Sequence, residues 1–256
     1  MDRPPREHPL NAEPSAQNRL LDLQAKDTRL SQITHRTKTL PEAVELAELE
    51  TKFARARDEG VAAEVIANDL KRDQARADAD VEQVRERSRH DRDLLDGGTI
   101  NDPKQLTNLQ HEMDSLARRQ GELEDIELEI MERVEGAMAA VRQLHGQRDA
   151  LALERDAQAS TVADLLADLE DERAIVTAER AAIVPEIPAD LLALYERIRI
   201  DGGGVGAAHV QRGRCGGCRL ELPPNEIERL RNAPANEVLR CEECRRILVR
   251  TAESGL

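Results

Sequence analysis

All four cysteines of the chain fall in two CxxC pairs, Cys215-Gly216-Gly217-Cys218 and Cys241-Glu242-Glu243-Cys244, with 22 residues between the pairs. Two knuckles presenting four thiolates match the closed tetrahedral coordination of a structural Zn²⁺. One Zn²⁺ per chain, held by Cys215, Cys218, Cys241 and Cys244, is therefore the expected chemistry. Gly216 and Gly217 are expected to take positive φ, so that the first knuckle turns tightly and aims backbone N–H groups at the sulfurs.

Other uses of the same residues fit less well. A redox CxxC opens a helix after an apolar strand, and no βαβ pattern surrounds either pair. Disulfides suit a secreted chain, but the stretch from Met1 to His8 carries no apolar run behind its charges. The chain is expected to be cytoplasmic, with reduced thiols. Iron would accept the same four sulfurs, because tetrahedral geometry separates it poorly from zinc; zinc is preferred because nothing else points to electron transfer.

Composition dictates what must carry these knuckles. Phe53 and Tyr195 are the only aromatic residues, and charged residues make up 34% of the chain, too many for a conventional core of 256 residues. Rich in Ala, Leu, Glu and Arg, the chain reads as long helices rather than a layered sheet fold. No apolar run approaches the roughly 20 residues of a membrane span. The net charge of −14 is unevenly placed: from Asp201 onward nine Arg face eight acids, a net of +1, which leaves −15 on residues 1–200. Only the C-terminal segment could approach a phosphate backbone without strong repulsion.

Residues 1–14, with four prolines, read as a disordered lead-in. A hairpin is expected over 15–183, with a kink near Pro41 and a turn at about 96–102. Its first arm has a seven-residue repeat through Leu46, Phe53, Gly60, Ala67, Gln74, Val81, Ser88 and Leu95. The companion positions are Leu49, Ala56, Ala63, Leu70, Ala77, Val84 and Asp91, and 11 of these 15 are apolar. Asp96-Gly97-Gly98 supplies turn residues, and Asn101-Asp102-Pro103 an N-cap followed by proline. The second arm repeats from Leu109 to Leu165 and from Leu106 to Ile183. Near-equal arms joined by a short turn fold back antiparallel, each roughly 120 Å long by helical rise. Pairing about the turn sets Pro41 near Gln158 and Phe53 near Gly146. Residues 184–204 form a short helix and linker, with Leu191, Leu194, Tyr195 and Ile198 on one face. Residues 205–256 form the ribbon: strands Val205–Arg212 and Val238–Arg240 lead into the knuckles, and Leu220–Leu222 and Ile247–Val249 return as hairpin partners. Such a ribbon is too small to fold without metal, and is expected to share little core with the stalk. The fold class is mainly α, a long antiparallel coiled-coil hairpin with a small C-terminal β-rich zinc ribbon.

That order of parts resembles a bacterial family joining a coiled-coil hairpin to a C-terminal C4-type zinc ribbon, described as predicted nucleic-acid-binding zinc-ribbon proteins. The resemblance rests on the run from Cys215 to Pro224, on the run from Leu239 to Leu248, and on Leu123-Glu124-Asp125-Ile126-Glu127-Leu128-Glu129-Ile130-Met131-Glu132. It implies that the four cysteines are the zinc ligands. It also implies candidate partners, since some members associate with a transcription sigma factor and export components, and RNA binding has been attributed to the family.

Arg214, Arg219, Arg240, Arg245 and Arg246 are the candidate contacts to nucleic acid or a partner. Interspersed Glu and the absence of aromatics for base stacking weigh against a dedicated nucleic-acid surface. Five histidines lie in the lead-in or on long helices; His209, near the first knuckle, finds the ligand set complete. No nucleophile triad or phosphate-binding glycine loop appears, and acidic runs such as Glu170-Asp171-Glu172 read as solvated helix faces. The expectation is a non-catalytic adaptor or chaperone-like scaffold binding protein partners through stalk and ribbon. The alternative is an RNA- or DNA-binding regulator acting through the ribbon. Monomer and dimer are both compatible with the sequence.

Overall fold

The computed structural model describes residues 10–98, 100 and 102–256. The fold is an antiparallel helical hairpin with a small strand-containing ribbon at its C-terminal end. Its elements are α1 (Pro14–Lys38), α2 (Pro41–Asp96), α3 (Pro103–Ile183), a 3₁₀ turn (Val184–Glu186), α4 (Ala189–Asp201), β1 (Ala207–Gln211), β2 (Arg214–Cys215), α5 (Pro224–Asn232), β3 (Leu239–Arg240) and β4 (Ile247–Val249). None of the helices is long and apolar enough to cross a membrane. Two compact units result, one of residues up to Pro41 together with Thr161–Leu256, the other Glu42–Ser160.

In the second unit the heptad positions of α2 are the ones withdrawn from solvent, with Ala56, Gly60, Ala67, Ala77, Val81 and Asp91 deepest. Leu123 and Val134 of α3 are buried with them. Arg85–Glu124 (2.7 Å), Arg87–Glu112 (2.9 Å) and His145–Glu64 (2.8 Å) cross the pair in antiparallel register. Gln158, an interruption in the seam, donates to the Glu42 carbonyl at 3.1 Å. Phe53 does not meet Gly146. The Arg155 guanidinium lies 4.3 Å over its ring, and the small residue that admits a large neighbour is Gly60, facing His145. A cation over the π face covers the ring while keeping its own charge at the solvent edge.

The helix ends follow local chemistry. Where a kink was expected at Pro41, the helix stops at Lys38 and restarts at Pro41. Proline has no N–H for the preceding turn but is well placed as a first helical residue. At the other end of α2, Gly98 takes φ +59°, and Asp102 Oδ1 caps α3 by accepting from the Lys104 N–H at 2.9 Å. Asn101 lies outside the described residues.

The first unit holds the ribbon and what supports it. Residues 1–9 of the expected lead-in lie outside the described residues; residues 10–13 are not a free tail. Val238 N donates to Leu10 O, Ala12 N donates to Asn236 O, and Ala12 is buried. The four-stranded sheet has the order β2-β1-β4-β3, with β1 parallel to β4 and the outer pairs antiparallel. Strand alternation gives it two covered faces. Ala207, Ile247 and Val249 pack with Leu20 and Leu23 of α1 and Leu191, Tyr195 and Ile198 of α4. Ala208, Val210 and Leu248 pack with Leu222, Leu230 of α5 and the cysteines. The expectation that ribbon and stalk share little core is therefore corrected: one face of the sheet is walled by stalk helices. The expected partner of the first strand is corrected too. Arg212 and Gly213, both at positive φ, form a two-residue turn that pairs β1 with Arg214–Cys215, leaving Glu221 a single bridge to Arg214.

Buried polar groups tie α1 to this junction. Gln24 Oε1 accepts from the Gly206 N–H at 2.7 Å, and Gln24 Nε2 donates to the Gly204 carbonyl at 3.0 Å. Asp27 accepts from the Tyr195 hydroxyl at 2.6 Å and from Arg180 Nε at 2.7 Å, and Glu196 pairs with both Arg180 and Arg199. Burial, and then the hydrogen bond to Asp27, push the Tyr195 hydroxyl well above its ordinary value. A tyrosine with a raised folded-state pKa contributes stability below the unfolded value of about 10, and that contribution is lost as pH rises beyond it. Tyr195 is the single tyrosine of the chain. Tyrosinate absorbance is thus expected to appear together with loss of helical signal in alkali; ionisation ahead of unfolding would contradict the burial.

Candidate metal centre

Two knuckles of the same construction face each other. In each, the first cysteine accepts at its carbonyl from the residue four positions on: Arg219 N to Cys215 O at 2.7 Å and Arg245 N to Cys241 O at 2.9 Å. In each, its own N–H reaches one residue further, Cys215 N to Leu220 O at 3.0 Å and Cys241 N to Arg246 O at 2.9 Å. Closing these turns puts Arg219 (φ +66°) and Arg245 (φ +64°) in the left-handed region. Gly216 and Gly217, from which positive φ was expected, do not take it. They are needed for close approach: a Cβ at Gly216 would lie 2.9 Å from the His209 carbonyl, and one at Gly217 would lie 2.6 Å from Arg246 Cδ.

The four Sγ atoms lie within 4.8 Å of one another, with Cys215 and Cys241 buried and Cys218 and Cys244 half-buried. Cys215 Sγ and Cys244 Sγ are 3.8 Å apart, matching the edge of about 3.8 Å that four Zn–S bonds of about 2.3 Å require. His209 is exposed and spends its carbonyl on Gly216 N. The four sulfurs fit one structural Zn²⁺, and the set is complete without His209. Bound there, the metal would hold both knuckles and Leu222, Val210 and Leu248 around them.

Burial pushes the metal-free Cys215 thiol up to about 11 and Cys241 up to about 12, against backbone N–H groups of residues 217–218 and 243–244 that favour their thiolates. Burial also opposes ionisation of Cys244, but the Arg246 N–H and the other thiols bring it down. Zinc binding near neutral pH therefore displaces protons from at least two sulfurs, and affinity increases with pH.

Glu226 of α5, fully buried, was not singled out from sequence. Its Oε1 accepts from the Glu242 N–H inside the second knuckle at 3.0 Å. Its position in the first turn of α5 reads by sequence as an ordinary complement to the helix dipole. Glu226→Ala is expected to loosen that knuckle and weaken zinc by about 10–100-fold, as loss of a group supporting metal ligands does. Competition with a chromophoric chelator measures it; unchanged affinity would assign Glu226 to packing alone.

The candidate arginines separate into two sets. Arg214 and Arg219 are exposed and, with Arg212, line a cavity of about 640 Å³ beside His209, Gln211 and Gly216. Arg245 is exposed. Arg240 and Arg246 turn toward backbone: Arg240 Nε donates to Arg245 O, and Arg246 donates to Val205 O at 3.1 Å and Gly202 O at 2.7 Å. Arg250 does the same for the carbonyls of Leu230, Ala233 and Pro234.

Residues 23–203 match the CT398-like coiled coil hairpin domain, and residues 214–248 match the C4-type zinc ribbon domain. An uncharacterized protein of Mycobacterium tuberculosis, Rv2229c, is 38% identical over 236 residues, covering 91% of this chain and 95% of that one. A solved structure from Mycobacterium smegmatis superposes with a TM-score of 0.83 at 36% identity, covering 94% of this chain and all of the other. CT398 from Chlamydia trachomatis shares the fold, with a TM-score of 0.66 at 16% identity, covering 93% of this chain and 98% of that one. Neither matching domain is of a catalytic kind. By its matched hairpin, the ribbon that follows it and the mycobacterial relatives, the chain belongs to the CT398-like coiled coil hairpin family with a C4-type zinc ribbon.

Proposed function

We propose that the protein is a non-catalytic scaffold whose helical stalk docks a protein partner, the zinc ribbon serving as a rigid end-piece. The observation that carries this reading lies between α2 and α3 within Glu42–Ser160. There Ala67, Met138 and Val141 floor a groove of about 260 Å³, and Glu64, Lys71 and Arg142 rim it. Val61, Val65 and Ile66 of α2 are each more than half exposed. A shallow apolar floor with mixed charges at its edge suits an amphipathic helix. A four-thiolate centre with no open position supplies neither activated water nor a Lewis acid, which favours a structural role.

A second reading, nucleic-acid binding by the ribbon, is favoured by one feature. Arg212, Arg214 and Arg219 surround a single cavity, and two of them hold left-handed backbone where glycine would be less strained. Phosphate contact belongs to this trio rather than to Arg246, whose replacement would free the Gly202 and Val205 carbonyls. The lack of aromatics in the ribbon keeps this reading second.

Affinity purification from the native cell, with and without nuclease, separates the two. The scaffold reading expects a protein partner that survives nuclease and is lost with Met138→Glu. Recovery that depends on nucleic acid and on the Arg212, Arg214 and Arg219 trio would replace it.

A further inference from the structure

A groove of about 570 Å³ follows the flank of α1 and α3 and ends against α4. Ser31, Thr34 and Lys38 line it from α1 with His35 beside them, and Arg173 and Thr177 line it from α3. Asp27, Arg180 and Arg199 close one end. Four of its charged lining residues are cations and one is an acid, in a chain where 51 acids outnumber 37 Lys and Arg.

The two ends of the groove differ. At the closed end the charge is spent: Arg180 is shared by Asp27 and Glu196, and Arg199 by Glu196 and, at 3.6 Å, Asp27. These pairings hold that end in place. At the open end the side chains of Lys38 and His35 have no ion-pair or hydrogen-bond partner among the described residues; the His35 carbonyl accepts from the Thr39 hydroxyl. Among the described residues, Arg173 has only an exposed pairing with Glu170 at 3.5 Å, and the Thr177 hydroxyl makes no hydrogen bond. An ammonium, a guanidinium, an imidazole and a hydroxyl thus face one space with uncommitted donors, and Leu30 is the one apolar lining residue.

We propose that this groove binds a compact polyphosphate, either the di- or triphosphate group of a nucleotide or its inorganic counterpart. Lys38 and Arg173 contact the phosphate oxygens, and the Thr177 hydroxyl donates to one of them. A small anion is favoured over a nucleic-acid strand because the Asp27, Arg180 and Arg199 cluster stops the groove. Along α3, a strand running past the groove would meet Glu170, Glu172 and Glu179. This site is separate from the ribbon cavity and does not depend on the scaffold reading.

Calorimetric titration of the full-length zinc-loaded protein with pyrophosphate, and separately with ADP, tests the assignment. Saturable one-to-one binding of either is expected; pyrophosphate alone sufficing identifies the phosphates as the recognised group, and ADP binding alone identifies a nucleotide source. Joint Lys38→Glu and Arg173→Glu should weaken binding at least tenfold, and Thr177→Val should weaken it with the charges unchanged. Arg212→Glu in the ribbon should leave it unchanged. Zinc content and helical signal report that each variant is folded. Absence of saturable binding at about 1 mM ligand, equal binding by the double variant and Thr177→Val, or displacement by a single-stranded RNA bound more tightly through the same residues would each overturn the proposal.

Discussion

Stripping the metal, or replacing Cys241 by Ser, is expected to open the ribbon and also to loosen the first half of α1, while residues 42–160 keep their protection. Structural zinc in a comparable small module is worth about 10–16 kcal/mol near neutral pH, as much as the whole stability of an ordinary domain at about 5–15 kcal/mol. Without it, Cys215 and Cys241 are neutral thiols buried among Val210, Leu222 and Leu248, and nothing holds the two knuckles together. The consequence spreads because β1 and β4 have a second face: Ala207, Ile247 and Val249 cover Leu20, Leu23 and Tyr195. Hydrogen exchange followed by mass spectrometry, before and after chelation, gives the answer. Peptides covering β1, α5 and β4 should lose most protection, the peptide around Leu20 and Leu23 a smaller part, and peptides within 42–160 none. Full protection around Leu20 after metal loss would show that the stalk base stands without the ribbon.

Asp27→Ala carries the second largest expected effect, a loss of about 3–5 kcal/mol, because it leaves a largely buried Arg180 without the acceptor that offsets its desolvation. The carboxylate is only 3% exposed and serves the Tyr195 hydroxyl as well as Arg180, so its removal takes the shorter acceptor from Tyr195, leaving Gln24 Oε1 at 3.3 Å, and the Nε acceptor from Arg180. Glu196 remains as a partner for Arg180, which puts the lower end of the range within reach. Asp27→Asn, which keeps an acceptor for Tyr195 but not the charge, should fall between. Urea unfolding of the zinc-loaded protein measures both, with Tyr195 fluorescence as the local signal, since the chain has no tryptophan. A change below about 1 kcal/mol for Asp27→Ala would place it with ordinary exposed ion pairs.

Much of the fold was legible because it is local. Heptad spacing from Leu46 to Leu95 names the buried stripe of α2 without any knowledge of what lies opposite, since helical period and burial are the same statement. Asp96-Gly97-Gly98 and Pro103 mark the turn by backbone chemistry alone. Four cysteines in two knuckles name a four-sulfur metal site because coordination number and spacing are properties of short segments.

Where contacts join residues far apart in sequence, spacing had no purchase. Gln24, Asp27 and Tyr195 look like two polar helix residues and one aromatic; folding brings them together across 168 to 171 positions, and burial turns each hydrogen bond into a requirement. The parallel pairing of β1 with β4 likewise sets Ala207 opposite Ile247, which a hairpin reading cannot produce. Arginines of the ribbon are chemically alike in the sequence. Only the tertiary structure separates Arg246 and Arg250, committed to loop carbonyls, from Arg212, Arg214 and Arg219 in solvent, because a guanidinium goes where unpaired carbonyls lie within reach. Local pattern thus carries the helices, their seam and the four-sulfur ligand set. Which polar side chains hold the ribbon to its base, and which are left to meet a partner, was decided by packing at long range.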